Sequence, residues 1–183
     1  MKPMIYFQAL NEIANFGDWS GSYETAGNTI DQSEDASYLY RGKYGLRVSC
    51  GVDDGYAYVY KDGLGISVAP GESVFLSFIQ NFASNPSGLV YTTLWKNNNG
   101  DTVFVSLVRD DGKGQFTVVD DAGNWNTKIG NAVLTGKSHW ITLELRRATS
   151  STASDGYGKL YIDGVEDVIR DGQDNYDKFT SLN

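Results

Sequence analysis

The segment 139-HWITLELRR-147 holds the only histidine of the chain, His139, followed by Glu144, Arg146 and Arg147. An imidazole, a carboxylate and guanidinium groups in one short stretch are residue types that can move protons or hold an anionic substrate. Alternation sorts them differently. Ile141, Leu143 and Leu145 fall on one face of an extended strand, and Thr142, Glu144 and Arg146 fall on the other. The apolar set is expected to face a core. Glu144 and Arg146 then suit a cross-strand charge pair on a solvated face. His139 opens the strand and reads as a partly exposed strand-end residue, and Trp140 as a core-edge residue. One histidine without a recognisable partner makes a poor triad, and no Gly-x-Ser-x-Gly or glycine-rich phosphate loop is present. Glu166 and Asp167 are adjacent carboxylates, which point to opposite faces of a strand. The segment therefore reads as scaffold.

The elements around it share the two-residue period. GLRVSC (45–50), AYVYK (57–61) and SVFLSFIQNF (73–82) are strands, the last apolar on both faces as a central strand would be. A meander follows: LVYTTLW, the turn KNNNGD, TVFVSLVR, the turn DDGKG, QFTVVD, then the turn DAGN. Asp163-Gly164 marks a two-residue hairpin inside KLYIDGVEDV. About ten short strands with turns between them predict an all-β fold, an antiparallel sandwich or jelly roll of two sheets. The reading is of a single domain over 1–183, with no linker and no long repeat.

Composition bounds the partners. With 15 basic and 23 acidic residues the formal charge is -8, which disfavours nucleic acid and anionic membranes. An aromatic fraction of 13% predicts a folded chain. Cys50 is the only cysteine, so there is no intrachain disulfide; it reads as a small apolar strand residue. MKPMIYFQAL has neither the long apolar core nor the cleavage site of a signal peptide, and no run approaches a membrane helix.

Three stretches, in order, carry a family resemblance. NFGDWSGSYETAGNTI, YRGKYGLRVSCGVDDGYAYVYK and HWITLELRRATSSTASDGYGKLYIDGVED resemble successive parts of a laminin-G-like module. The chain thereby resembles the concanavalin A-like lectin/glucanase superfamily, which implies a jelly roll of two curved antiparallel sheets. The pattern of that superfamily continues past DNYDKFTSLN, so a last strand is expected to be missing here or supplied by another chain, which would leave an open edge for a partner. Its retaining hydrolases carry Glu-x-Asp-x-x-Glu, which sets two carboxyl groups roughly 5 Å apart; that pattern is missing here. Its alginate-lyase-type members use an Arg-x-Glu-Leu-Arg strand, a Gln-x-His strand and a C-terminal Tyr. LELRR resembles the first, but Ser138-His139-Trp140 lacks the Gln.

Sugar binding needs an exposed aromatic ring with amides or carboxylates nearby. Trp19, Trp95 and Trp125 sit among polar residues, and Trp125, between Asn124 and Asn126 in an expected loop, is the foremost candidate. Tyr56, Tyr58 and Tyr60 alternate on one strand, which ordinary strand chemistry also explains. Among acidic turns, Asp171, Asp174 and Asp177 are the first choice for a calcium ion, the one cofactor these turns suit, although no Asp-x-Asp-x-Asp-Gly loop exists. The expectation is a recognition or adhesion module, glycan-binding and non-catalytic, on an extracellular or virion surface. The other readings are a structural virion protein bound to its own assembly or a homo-oligomer, and a polysaccharide lyase of the same fold.

Overall fold

A computed structural model describes residues 4–6, 21–24, 28–33, 45–50, 57–60, 63–82 and 84–182, with side chains for Ser22, Tyr23, 63–82 and 84–182. Fifteen strands are described: β1 (Met4–Tyr6), β2 (Gly21–Glu24), β3 (Asn28–Ser33), β4 (Gly45–Cys50), β5 (Ala57–Tyr60), β6 (Ile66–Ser67), β7 (Ser73–Asn81), β8 (Val90–Lys96), β9 (Thr102–Val108), β10 (Lys113–Val119), β11 (Trp125–Val133), β12 (Ser138–Arg146), β13 (Gly156–Ile162), β14 (Val165–Gln173) and β15 (Ser181–Leu182). The described residues contain no helix, in line with the all-β reading. The chain divides into two compact units, Gln8–Leu64 and the remainder. In the first, β2 pairs with β5 and β3 with β4, both antiparallel. Trp19, Tyr56, the side chains of Tyr58 and Tyr60, and that of Cys50 lie outside the described residues.

The second unit is a sandwich. Its five-stranded sheet has the order β1-β7-β12-β13-β14 and its four-stranded sheet the order β11-β10-β9-β8. All these pairings are antiparallel except β1 with β7. A short ladder joins β15 and β6, in which the last described residues, Ser181 and Leu182, pair with Ser67 and Ile66. The hairpin from β13 to β14 turns at Asp163 (φ 53°) and Gly164 (φ 84°), as the Asp-Gly pair predicts for a type I′ turn.

Register explains the core. Leu143 faces Leu76 on one side and Leu160 on the other, and Ile141 lies between Phe78 and Ile162. These side chains meet Phe104, Phe116 and Val118 of the opposite sheet. The Phe104 and Phe116 rings stack at 5.6 Å, and Trp95 leans on Phe104 at 5.2 Å. Gly158, in the row of Leu145, leaves the space those rings fill: a Cβ there would lie 2.6 Å from Val118 and 2.9 Å from Phe116.

The open edges of the two sheets are tied by Asp167 of β14. Its carboxylate accepts the Asn131 and Ala132 backbone N–H groups of β11, and a Cβ at Gly130 would collide with it. The end of β12 is held by two buried polar residues. Arg147 donates to the Val68 and Tyr176 carbonyls, both at 2.7 Å, with its guanidinium 4.2 Å from the Tyr176 ring centre. Asn175 donates to the Arg146 carbonyl and accepts from the Ala148 N–H.

Filling the space at Gly158 forces rings off their rotamers. Gly158→Ala should cost about 1–3 kcal/mol of unfolding free energy in a urea titration; an unchanged midpoint would mean that the sheets do not meet there.

Candidate functional site

Two outer faces of the sandwich carry groups suited to a ligand. On the four-stranded sheet, alternation aims Val105, Leu107, Thr117 and Val119 away from the core, and all are buried. The edge strands flank them with larger groups. Register sets Tyr91 and Ile129 at the two ends of the row through Leu107 and Gln115, Leu94 beside Val105, and Trp125 beside Val119. Tyr91 is 64% exposed and Trp125 57%. β8 and β11 are three strand spacings apart, about 14 Å, and the face between the two rings is covered: Val105, Leu107, Thr117 and Val119 are at most 5% exposed.

Trp125 differs from its expectation in one respect: it opens a nine-residue strand rather than lying in a loop. Its neighbours form a fixed polar corner. Asp120 accepts the Asn124 backbone N–H at 2.8 Å, the Asn124 side-chain amide at 3.0 Å and the Asn126 amide at 3.1 Å. Burial pushes the Asp120 carboxyl up, but these N–H groups outweigh it and hold the group below its ordinary value. Asn126 also accepts from Arg170, so its amide is committed to protein partners. Trp95 is not a surface ring: it is 9% exposed and packs in the core against Phe104. Alternation from Leu94 decides this, since neighbours on a strand face opposite ways.

Asp171, Asp174 and Asp177 are the carboxylates expected from the sequence to suit a calcium ion. Burial, and then the neighbouring carboxylate of Asp121, raise the Asp174 carboxyl above its ordinary value, with Asp177 adding to the effect. Asp121 itself accepts the Asp177 and Lys178 backbone N–H groups. Among the described residues no group of three or more His, Cys, Asp or Glu side chains is placed to hold a metal ion.

The outer face of the five-stranded sheet is more polar. Glu144 is 4% exposed, not solvated, and its hydrogen-bond partners among the described residues are phenols. Tyr157 and Tyr161 of β13 donate to its two oxygens at 2.7 and 2.8 Å. Lys159 lies between the two tyrosines along the strand, 5.1 and 5.9 Å from their ring centres, and pairs with Glu166 at 2.8 Å. Arg146 donates to the Gly71 carbonyl and lies 5.6 Å from the Tyr157 ring centre. Thr142 bonds Ser77, and the Trp140 indole donates to Thr142 from an exposed position rather than a core edge. Burial and the Glu144 carboxylate push Tyr161 up to about 12, and Tyr157 up as well. The bond to Glu166 raises Lys159 despite its burial. Both phenols are therefore neutral donors near pH 7.

His139 is also placed differently from the expectation. It is 4% exposed and faces the inner side, away from Glu144. Its Nδ1 lies 2.9 Å from the Asp163 carboxylate, which also accepts the Trp140 backbone N–H and is held below the ordinary range chiefly by that bond. The signal for the Glu144 site was present in the sequence: Tyr157, Lys159 and Tyr161 alternate, so all three share a face.

The raised Tyr161 proton gives a pH dependence of definite sign. The folded state holds that proton between the ordinary value, 10.0, and about 12, where the unfolded chain releases it. The stability it contributes is complete below the ordinary value and is lost as pH rises through the folded one. Urea stability should fall over that interval, and Tyr161→Phe should flatten the fall; an unaltered profile would contradict the Glu144 bond.

No family profile matches the sequence, and no curated protein matches it. Among solved structures, the chain is similar to the endo-β-1,4-glucuronan lyase of the fungus Trichoderma reesei, with a TM-score of 0.68 at 13% identity, over 92% of this chain and 78% of that one. At that identity the likeness concerns the fold. Together with the two antiparallel sheets described above, it places the chain in the concanavalin A-like jelly-roll fold.

Proposed function

We propose that this chain is a non-catalytic glycan-recognition module of an extracellular or virion surface, and that it binds at the Trp125 edge of the four-stranded sheet. The observation that carries this reading is the Trp125 ring, 57% exposed on the edge strand β11. A ring that far from the core adds little to folding, whereas it offers a sugar an apolar stacking surface. The Asp120 and Asn124 turn beside Trp125 supplies fixed polar groups, whereas Asn126, in the row of Val118, points to the other side. The structural neighbour is by its name a polysaccharide enzyme, which supports a carbohydrate ligand for this fold. Against chemistry stands the position of His139, buried against Asp163 on the inner side, where it meets no substrate.

A lyase reading has its own support in the grouping of Arg146, Tyr157, Lys159 and Tyr161 around Glu144. Elimination also needs a base, and neutral phenols already donating to a carboxylate are poorly poised for that role. A structural role in a virion or homo-oligomer would draw on Leu94 and Ile129, which are also exposed on the four-stranded face.

One panel separates the three. On an array of neutral and acidic polysaccharides, glycan binding should be seen and should disappear in Trp125→Ala with the melting temperature nearly unchanged. No unsaturated product should form by ultraviolet absorbance. Product that disappears in Tyr161→Phe would establish the lyase instead. A silent array with self-association in light scattering would establish the structural role.

A further inference from the structure

We infer that the glycan taken at the Trp125 edge is an uncharged chain, and that it runs lengthwise over Trp125, Thr127 and Ile129 of β11. The inference rests on the glycan-binding reading of that edge and adds the direction and chemical class of the ligand. Alternation along β11 puts these three residues in one row, opposite Val119, Thr117 and Gln115 of β10. Trp125 is 57% exposed and Ile129 45%, and Thr127 between them is exposed as well. Val119 and Thr117 are covered, so the accessible strip is one strand wide and follows the edge. From Trp125 to Ile129 it is four residue rises long, about 14 Å. A ring, a hydroxyl and an aliphatic side chain follow one another, which suits the apolar C–H faces and hydroxyls along a chain of pyranoses. The Thr127 hydroxyl bonds that of Thr117 at 2.9 Å, which leaves it at least one lone pair for a ligand.

Charge decides the class. Lys128, between Thr127 and Ile129, belongs to the opposite face of β11, in the row of Phe116, so the strip itself is uncharged. At its Trp125 end stands an acidic turn. Asp120 accepts the Asn124 backbone N–H. Asp121 holds the Asp177 and Lys178 backbone N–H groups, while its own N–H donates to the Asp174 carbonyl. Burial, and then the carboxylates of Asp121, Asp120 and Asp177, raise the Asp174 carboxyl, so these groups act on one another. Lys178, whose Nζ lies 3.8 Å from the place of a Gly123 Cβ, offsets part of that charge. A uronate or sulfate passing Trp125 meets net repulsion there, and a neutral sugar does not. A neutral ligand would set this chain apart from its structural neighbour, whose name specifies a glucuronan.

Binding isotherms with neutral gluco-, xylo- and manno-oligosaccharides, and with oligoglucuronates of the same lengths, test both parts. With the wild-type protein at low salt, a neutral series should bind several-fold more tightly than the oligoglucuronates, and sodium chloride should narrow the gap by screening. Affinity should rise from monosaccharide to tetrasaccharide. Ile129→Thr, which keeps a β-branched side chain on the strand, should remove that rise with the melting temperature nearly unchanged. Thr127→Val should weaken the longer chains about two- to tenfold, the loss of one hydrogen bond. Oligoglucuronates bound as tightly as neutral chains would overturn the inference whether or not the variants fold. So would long-chain affinity untouched by Ile129→Thr. In either case, binding that disappears in Trp125→Ala would still uphold the edge as the site. Binding of no chain at all would remove the glycan reading, and this inference with it.

Discussion

The close approach of two sheets at a glycine governs much of this fold. Gly158 has no Cβ, and the Phe104 and Phe116 rings and Val118 occupy the space a side chain would take. That contact fixes which face of β13 is inner. Since a strand alternates strictly, it also fixes Tyr157, Lys159 and Tyr161 as outer. Pairing of β12 with β13 then places Glu144 beside Lys159, within reach of both phenols. The inner packing and the outer polar network are two sides of one register, and a slip of one residue would invert both.

The features legible in the sequence were those with a short period and strong chemistry. Leu143 and Leu145 with Ile141 announced an inner face, and Asp163-Gly164 announced a hairpin. The strand Trp125–Val133 was hidden because it lies at a sheet edge: its residues are mostly exposed, so no apolar alternation was needed to form it. What was hardest to read was partnership. His139 looked like a surface residue because its partner, Asp163, sits at the far end of a hairpin, where the turn folds the carboxylate back onto the imidazole. Glu144 looked like half of a charge pair because lysine and arginine are its obvious neighbours, whereas the phenols flanking Lys159 reach it with better geometry.

Surface rings and core rings could not be told apart by composition. Trp95 and Trp125 both stand among asparagines, yet one is core and the other surface. The difference lies in strand parity and in position within the sheet: Trp95 is aimed at Phe104, while Trp125 belongs to the outer row of an edge strand. The fold tolerates an exposed ring here without disturbing the interior, because edge-strand residues on the outer face contribute little packing.

The carboxylate of Asp167 has a consequence beyond joining β11 to β14. An edge strand ordinarily displays backbone N–H groups on which a strand from another molecule can form a ladder. At Asn131 and Ala132 those groups already point at a carboxylate of the same chain, and Gly130 has no side chain to keep it out. A foreign strand arriving there would have to displace those hydrogen bonds and set its own carbonyl oxygens against the Asp167 side chain. A single aspartate thus occupies, from within the chain, the donors that an added strand would need.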